Sequence, residues 1–418
     1  MSYDPDKSMK IIEDDVWYDT EPFGSMRYYN GKGYFFDGAY IVSEDGYWRS
    51  SKFVVYCVDN QNNVELIKVI DPIQWTYLSV GIEIYNDKIF VAFMKYASSD
   101  TSYKVCIATM DLNGENYSEH EVQSLDSRLL YGVRSTLDED NGLAYFIYTE
   151  RETTNHPWRI IVGECNIQNG TYQIHETGLM NESVHHWANW VVSWQSESLV
   201  YNDNYLFITS SIRNMIMEGG DDWTLNIWGF KFHPDGSNYL EVKMTDLPST
   251  QRYPSIYISG NIIYHVWDSY ADPGFHGVYS KTDLNFNNYE VIYATNPEED
   301  EPFSSWPNIP LVVRGDTLYS LSWWTTGYEI SLITINLNDN SYSFATLVNQ
   351  DHPNWPEEGG YCEDYHLVVN EDGSSMFYYW HGYYDETYNH LNIATGVYPA
   401  MSYQSTCVPF LFKVPYLE

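Results

Sequence analysis

The sequence predicts an all-β protein built from repeats of four short antiparallel strands. Short apolar runs are bounded by Asn, Asp and Gly, which is typical of strands joined by hairpin turns. The turns recur roughly 51–64 residues apart, a spacing that fits a repeat of several strands. The chain of 418 residues also holds 40 Tyr and 15 Trp, which favour strands because aromatic rings pack well on a pleated surface.

Two types of turn define the repeat. The first precedes an apolar and aromatic run and occurs at 29–31, 85–87, 137–139, 201–203, 259–261, 314–316 and 370–373. The second comes later in each repeat and occurs at 59–62, 111–114, 166–170, 233–236, 283–285 and 336–339. Each repeat therefore has four strands, a to d, in which the first turn joins a to b and the second joins c to d.

This pattern resembles that of seven-bladed β-propellers, in which each repeat is one four-stranded antiparallel blade. The resemblance implies a single domain over residues 1–418, with blades at about 25–71, 78–126, 131–179, 194–246, 253–295, 308–349 and 361–418. The last repeat is irregular. Residues 407–414 resemble a strand c and residues 9–13 a strand d, so we expect the N-terminal strand to close the last blade and 382–406 to be an insertion. A c–d turn at 392–396 is the alternative.

The charge and the distribution of apolar residues limit the classes of partner that we expect for the protein. The formal net charge of −37 repels phosphate backbones, which excludes nucleic acid and favours a surface that keeps the protein soluble. No apolar run reaches the ~18–20 residues that span a bilayer, so membrane insertion is not expected. Residues 1–6 lack the features of a signal peptide, which predicts cytoplasmic synthesis, with incorporation into a virion as one route out of the cell.

The cysteines show no zinc-binding spacing, and we expect buried free thiols in a reducing compartment. They are Cys57, Cys106, Cys165, Cys362 and Cys407.

The resemblance to propellers also implies that the d–a and b–c loops share one face around the mouth of a central channel. In this chain those loops are long, acidic and aromatic. Aromatic planes there would stack on sugar rings or anchor a protein partner. The candidate ligand-binding residues are His185, His186, Trp187, Trp190, Tyr253, Trp306 and Trp355. For Tyr253, Trp306 and Trp355 the alternative is a wedge between adjacent blades at the start of strand a.

The acidic loops offer oxygen ligands of the kind that Ca²⁺ takes. The candidates are Asp221, Asp222, Glu299 and Asp300. None has EF-hand spacing, so we expect solvated loops and no cofactor, with Ca²⁺ as the alternative.

Candidates for catalysis lie on strand a, near the expected channel: Arg27, Glu83, Arg134 and Glu197. Two carboxylates with arginines suit glycoside cleavage, in which one acid protonates the leaving oxygen and the other stabilises the cation or attacks. The boxes of sialidase-like enzymes are not matched, because residues 43–48 have the wrong spacing for them. The characteristic dipeptides of WD40 blades, the G-x-S-x-G elbow and the P-loop are likewise missing from their expected places.

Two function classes remain. The first is a non-enzymatic binding or structural propeller, such as a phage tail, receptor-binding or surface-assembly component that recognises a glycan or a protein. Its support is the missing catalytic motifs, the negative charge and the unusual loops. The alternative is a polysaccharide-active glycosidase or lyase with a carboxylate pair at the channel mouth.

Overall fold

The computed structural model describes residues 17–20, 25–42, 48–59, 64–73, 80–97, 102–126, 130–150, 159–179, 198–213, 225–247, 249–271, 274–295, 310–324, 329–349, 362–369, 375–384, 390–394 and 410–413. All regular elements in these ranges are β-strands, so the all-β prediction is confirmed for them. No described helix has the length and apolar character needed to cross a membrane. The chain divides into two compact units, Thr76–Ala294 and the combination of Met1–Trp75 with Thr295–Glu418.

The unit Thr76–Ala294 contains four blades, in each of which strands a, b, c and d pair antiparallel in chain order. Blade 2 comprises β6 (Gly81–Tyr85), β7 (Lys88–Ala97), β8 (Ser102–Asp111) and β9 (Ser118–Asp126). Blade 3 comprises β10 (Leu130–Asp138), β11 (Leu143–Glu150), β12 (Arg159–Asn166) and β13 (Tyr172–Leu179). Blade 4 comprises β14 (Leu199–Asn202), β15 (Tyr205–Arg213), β16 (Leu225–Phe232) and β17 (Leu240–Lys243). Blade 5 comprises β18 (Thr250–Ser259), β19 (Ile262–Ala271), β20 (Gly274–Asp283) and β21 (Glu290–Ala294).

The other unit contains three sheets. Blade 1 comprises β2 (Ser25–Tyr29), β3 (Lys32–Val42), β4 (Trp48–Asp59) and β5 (Val64–Ile73), and a further strand, β1 (Trp17–Thr20), pairs with the second half of β3. Blade 6 comprises β22 (Leu311–Arg314), β23 (Thr317–Trp324), β24 (Glu329–Asn336) and β25 (Tyr342–Asn349). The last sheet comprises β26 (Cys362–Val369), β27 (Ser375–Tyr384), β28 (His390–Ala394) and β29 (Phe410–Lys413). Within this unit β26 lies against both β2 and β22, so the last sheet is packed between blade 6 and blade 1.

The prediction of seven four-stranded blades is wrong, because six sheets form complete a–b–c–d meanders and the last one does not. In the last sheet β28 and β29 share one edge of β27: β29 pairs with Ser375–Tyr378 and β28 with Trp380–Tyr384. Residues 410–413 therefore pair beside strand b as expected for a strand c, but only over half its length. The supposed insertion supplies the other half, and no described strand takes the outer position. Residues 9–13, expected there, lie outside the described residues.

The predicted turns that lie within the described residues join the strands as expected. Asn86 and Asp87 adopt the left-handed backbone, with φ of 45° and 62°, which Asn and Asp tolerate better than other non-glycine residues. In the c–d turn of blade 2, Gly114 N donates to Asp111 O at 2.8 Å. Leu112 N then donates to Asp87 O at 3.2 Å, which ties the c–d turn to the a–b turn of the same blade.

Neighbouring blades in the unit Thr76–Ala294 are held together by apolar side chains from their facing surfaces. Ile147 and Val162 of blade 3 pack with Leu206 and Phe230 of blade 4. Burial of such side chains contributes roughly 1.5–3 kcal/mol each, so these sheet-to-sheet contacts stabilise the unit.

Three cysteines, Cys57, Cys106 and Cys165, are buried free thiols, as predicted. Burial raises the pKa of the Cys106 and Cys165 thiols to about 12, so both stay protonated and unreactive. Cys407 and the side chain of Cys362 lie outside the described part of the chain.

Candidate functional site on strands a and b of blade 5

Most residues predicted for a site fall outside the described residues, and their roles stay predictions. These residues are Glu197, His185, His186, Trp187, Trp190, Trp306, Trp355, Asp221, Asp222, Glu299 and Asp300. Arg27 is described on β2, where its Nη1 donates to Met26 O at 2.8 Å. Its role in catalysis also stays a prediction.

Glu83 and Arg134 lie on strand a of neighbouring blades, and each is only 1% exposed. Ser135 Oγ donates to Glu83 Oε1 at 2.7 Å, and Arg134 Nη1 donates to Val133 O at 3.0 Å. Gly81 leaves room for Ser135, since a Cβ at position 81 would lie 2.2 Å from its Oγ. These contacts give both residues structural partners, and a catalytic role for either remains a prediction.

Tyr253 occupies a bulge in strand a of blade 5. Its φ is 54°, a left-handed conformation that is a genuine outlier for a bulky residue and costs on the order of 1–3 kcal/mol. Burial raises the pKa of the Tyr253 phenol, so it stays protonated and can donate a hydrogen bond. The ring lies beneath the Arg252 guanidinium, whose central carbon is 5.2 Å from the ring centroid, within cation–π range.

The bulge changes which residues face each other across β18 and β19. Ser255 pairs with Val266, and a regular ladder continuing from there would place Tyr253 opposite Asp268. The extra residue shifts the register by one, so that Arg252 is opposite Asp268 instead. The strained tyrosine backbone is therefore what brings the arginine and the aspartate together.

Arg252 and Asp268 form an ion pair in which one carboxylate oxygen takes both hydrogen bonds. Arg252 Nε and Nη2 donate to Asp268 Oδ2 at 3.2 Å and 3.0 Å. The Asp268 side chain is fully buried, whereas that of Arg252 is 26% exposed. Asp268 Oδ1 is buried and accepts no hydrogen bond from any described residue, which is unusual because buried polar atoms are nearly always paired.

This half-satisfied environment controls the charge of Asp268. Burial raises the pKa of the Asp268 carboxyl, Arg252 lowers it, and burial dominates, so that the pKa is about 7. The carboxyl can therefore gain or lose a proton near neutral pH, as groups at functional sites often do.

Polar contacts beside the pair lock the two strands together. Trp267 Nε1 donates to Gln251 Oε1 at 2.8 Å, and Gln251 Nε2 donates to Ser269 Oγ at 2.8 Å. The same Nε2 also donates to Ser249 O at 3.1 Å. Gln251 and Trp267 are buried, so strands a and b are fixed on both sides of the Arg252–Asp268 pair.

Blade 3 holds a second buried carboxylate at the corresponding end of strand b. Glu150 is 3% exposed, and its Oε1 accepts from Arg159 Nε at 2.9 Å and from Nη2 of the same side chain. Its Oε2 accepts from Gln123 Nε2 of blade 2 at 2.8 Å. Both oxygens of Glu150 therefore have donors, unlike those of Asp268.

Sequence reasoning found Tyr253 but missed the partnership of Arg252 with Asp268. A ladder counted back from the turn at 259–261 pairs Arg252 with Ser269, and only the bulge corrects this by one residue. The sequence Arg-Tyr-Pro carried a partial signal, because proline is often found at bulges.

Among the residues that the structure describes, no group of three or more His, Cys, Asp or Glu side chains could hold a metal ion. The predicted calcium ligands lie outside those residues, so calcium binding is untested.

Comparison with known proteins gives the fold. No family model and no curated protein sequence matches the chain. The polysaccharide lyase Uly1 has a TM-score of 0.53 at 8% identity, covering 88% of each chain. The PL25 ulvan lyase bound to -[GlcA(1-4)Rha3S]- has a TM-score of 0.53 at 7% identity, covering 89% of this chain and 91% of that chain. The β-propeller domain of the Trilobed protease from Pyrococcus furiosus gives 0.48 at 10% identity, covering 91% and 94%.

The two matches with a TM-score of 0.53 show that this chain shares the fold of those lyases. The repeated four-stranded meanders are blades of the β-propeller superfamily.

Proposed function

We propose that the protein binds and cleaves a polysaccharide, and that Arg252 and Tyr253 of blade 5 contact the sugar. The observation that carries the proposal is the strained, half-satisfied Arg252–Tyr253–Asp268 cluster, in a fold that the chain shares with polysaccharide lyases. Backbone strain and unpaired buried polar atoms persist where function requires them, because elsewhere they only reduce stability.

The cluster provides groups that recognise and activate a sugar. The guanidinium offers a planar fork of donors, and the phenol offers one further O–H. The Tyr253 ring fixes Arg252 from below, which limits the entropy that Arg252 loses when a ligand binds. A carboxyl that titrates near pH 7 is also suited to proton transfer at neutral pH.

The shared fold favours this function over a virion or surface-assembly component. That first hypothesis rested on net charge, missing motifs and loop composition, and none of these identifies a partner. A glycan partner fits both the site and the saccharide bound to the PL25 ulvan lyase, while protein partners have no comparable support.

The test is a panel of purified neutral and acidic polysaccharides incubated with the full chain. Release of reducing ends would report cleavage, and ultraviolet absorbance of an unsaturated product would separate elimination from hydrolysis. We expect Arg252→Lys to lower kcat/KM at least about tenfold, because an ammonium cannot replace the two-point contact of a guanidinium.

Arg159→Lys is the matched control, since Arg159 pairs with a buried carboxylate in blade 3 and is outside the proposed site. It should leave kcat/KM close to that of the wild type. If the wild-type chain neither binds nor cleaves any polysaccharide, or if Arg252→Lys behaves like Arg159→Lys, the proposal is wrong.

A further inference from the structure

A negatively charged ligand that binds Arg252 must compete with Asp268 for the guanidinium. Asp268 is fully buried behind Arg252, so a ligand from solvent reaches the guanidinium first. A carboxylate is the ligand that best matches this group, because its two oxygens accept two parallel N–H bonds. A ligand carboxylate would therefore compete with Asp268 for the same donors.

We propose that the site takes a carboxylate-bearing sugar, and that this sugar replaces Asp268 on the Arg252 guanidinium while Asp268 takes up one proton from solvent. The inference rests on the proposed function and names the ligand class of that same site.

The uptake of a proton by Asp268 follows from the surroundings of its carboxyl group. Among the described residues Arg252 is the charged group that acts on the Asp268 carboxyl, and it favours the ionised form. Burial already brings the pKa to about 7 against the opposing effect of Arg252. Once Arg252 turns to a ligand, burial acts unopposed and the pKa of Asp268 rises further. Oδ1, which accepts no hydrogen bond from a described residue, is the oxygen that can receive the proton.

The exchange balances in charge. Before binding, Arg252 and Asp268 are a neutral pair; afterwards Arg252 pairs with the ligand carboxylate and Asp268 is a neutral acid. The ligand brings one negative charge and the proton one positive charge, so the site stays neutral. A protein with a net charge of −37 can in this way bind an acidic sugar without adding to its own negative charge.

A neutral sugar would give a different pH dependence. It carries no charge that could replace Asp268 on Arg252, so it would leave the ion pair in place and take up no proton. Proton uptake on binding therefore separates the two ligand classes.

The experiment is calorimetric titration of the full chain with uronate-containing oligosaccharides, using the same oligosaccharides with reduced carboxyl groups as the matched neutral probe. For the uronate probe we expect affinity to fall about tenfold for each pH unit from pH 7 to pH 8.5, because one proton is taken up. Titration at pH 8 in buffers of different ionisation enthalpy should show uptake of about one proton per ligand. This second readout needs no variant.

Asp268→Asn should remove the pH dependence and bind the uronate probe at least about tenfold more tightly than the wild type at pH 8, since an amide competes weakly for Arg252. Glu150→Gln, which changes the buried carboxylate of blade 3, should keep the wild-type slope. Binding of the uronate probe that is independent of pH, or tighter at high pH, would overturn this inference and leave the proposed function standing. Absence of binding to every glycan would overturn both.

Discussion

Blades 3 and 5 bend strand a at corresponding positions, but they use different residues to do so. In blade 3 the bulge lies at Gly132, with φ of 60°, and in blade 5 it lies at Tyr253, with φ of 54°. Glycine adopts this conformation at little cost because it has no Cβ, whereas tyrosine does so only against steric repulsion. Blade 3 therefore has the bend without strain, and blade 5 has the same bend with strain.

The two blades also differ in how they satisfy a buried carboxylate near the end of strand b. Glu150 of blade 3 has donors on both oxygens, from Arg159 and Gln123. Asp268 of blade 5 receives both bonds from Arg252 on one oxygen. Blade 5 thus departs from blade 3 in both its backbone bend and its buried carboxylate, and departures of this kind are common at functional sites.

The largest expected effect concerns the two carboxylates. The pKa of Asp268 lies at about 7 in the folded protein against a normal value of 3.8, so the folded state holds a proton that the unfolded state has lost between these pH values. Stability therefore falls as pH rises from about 4 to 7 and stays low above pH 7. Asp268→Asn removes this cost and should stabilise the protein at pH 8 by on the order of 3 kcal/mol.

Glu150→Gln should do the reverse at pH 8. It replaces an acceptor of well-placed donors and should destabilise the protein by about 1–3 kcal/mol. Urea denaturation of both variants at pH 5 and pH 8 measures the contrast. If Asp268→Asn were less stable than wild type at pH 8, the contrast between the two carboxylates would be lost.

The next effect tests the two bulges. At most strand positions Ala is more stable than Gly by about 0.5–1 kcal/mol, but a left-handed backbone reverses this order. Tyr253→Gly and Tyr253→Ala lose the same ring, so their difference reports the backbone alone. We expect Tyr253→Gly to be the more stable by about 1–2 kcal/mol in thermal unfolding.

Gly132→Ala should lose stability by a similar amount, about 1–2 kcal/mol. Equal stabilities for Tyr253→Gly and Tyr253→Ala would show that the tyrosine backbone is unstrained. That result would remove one of the two differences between the blades.

The sequence was sufficient to predict the blades because their turns have local causes. Asn86 and Asp87 mark a hairpin wherever they occur between apolar runs, and no distant contact is needed to recognise it. The pairing in the last sheet could not be predicted from local turns, because β28 and β29 share one edge of β27 and come from distant parts of the chain. The count of complete blades was wrong for that reason.

The candidate site was only partly predictable, because it depends on register. Arg252 and Asp268 are sixteen positions apart, and the alignment that pairs them is created by one extra residue at Tyr253. An alternating pattern of apolar and polar residues shows which side chains of a strand face the core. It does not locate a bulge, least of all at a residue such as tyrosine that disfavours the left-handed backbone. The unpaired oxygen of Asp268 is a property of the folded surroundings and has no sequence signature.

The smallest expected effect comes from a substitution that gives the buried carboxylate of blade 3 the arrangement found in blade 5. Gln123→Leu removes the hydrogen bond from Gln123 to Glu150 Oε2 and leaves Arg159 on the other oxygen, an arrangement that resembles that of Asp268. We expect a loss of about 1 kcal/mol at pH 8, measured by urea denaturation, because a buried carboxylate oxygen loses its donor. Gln173→Leu on the exposed strand d of blade 3 is the matched control and should change stability little. If Gln123→Leu lost no more stability than Gln173→Leu, the donor on Glu150 Oε2 would contribute nothing, and the missing donor on Asp268 would not distinguish blade 5 from blade 3.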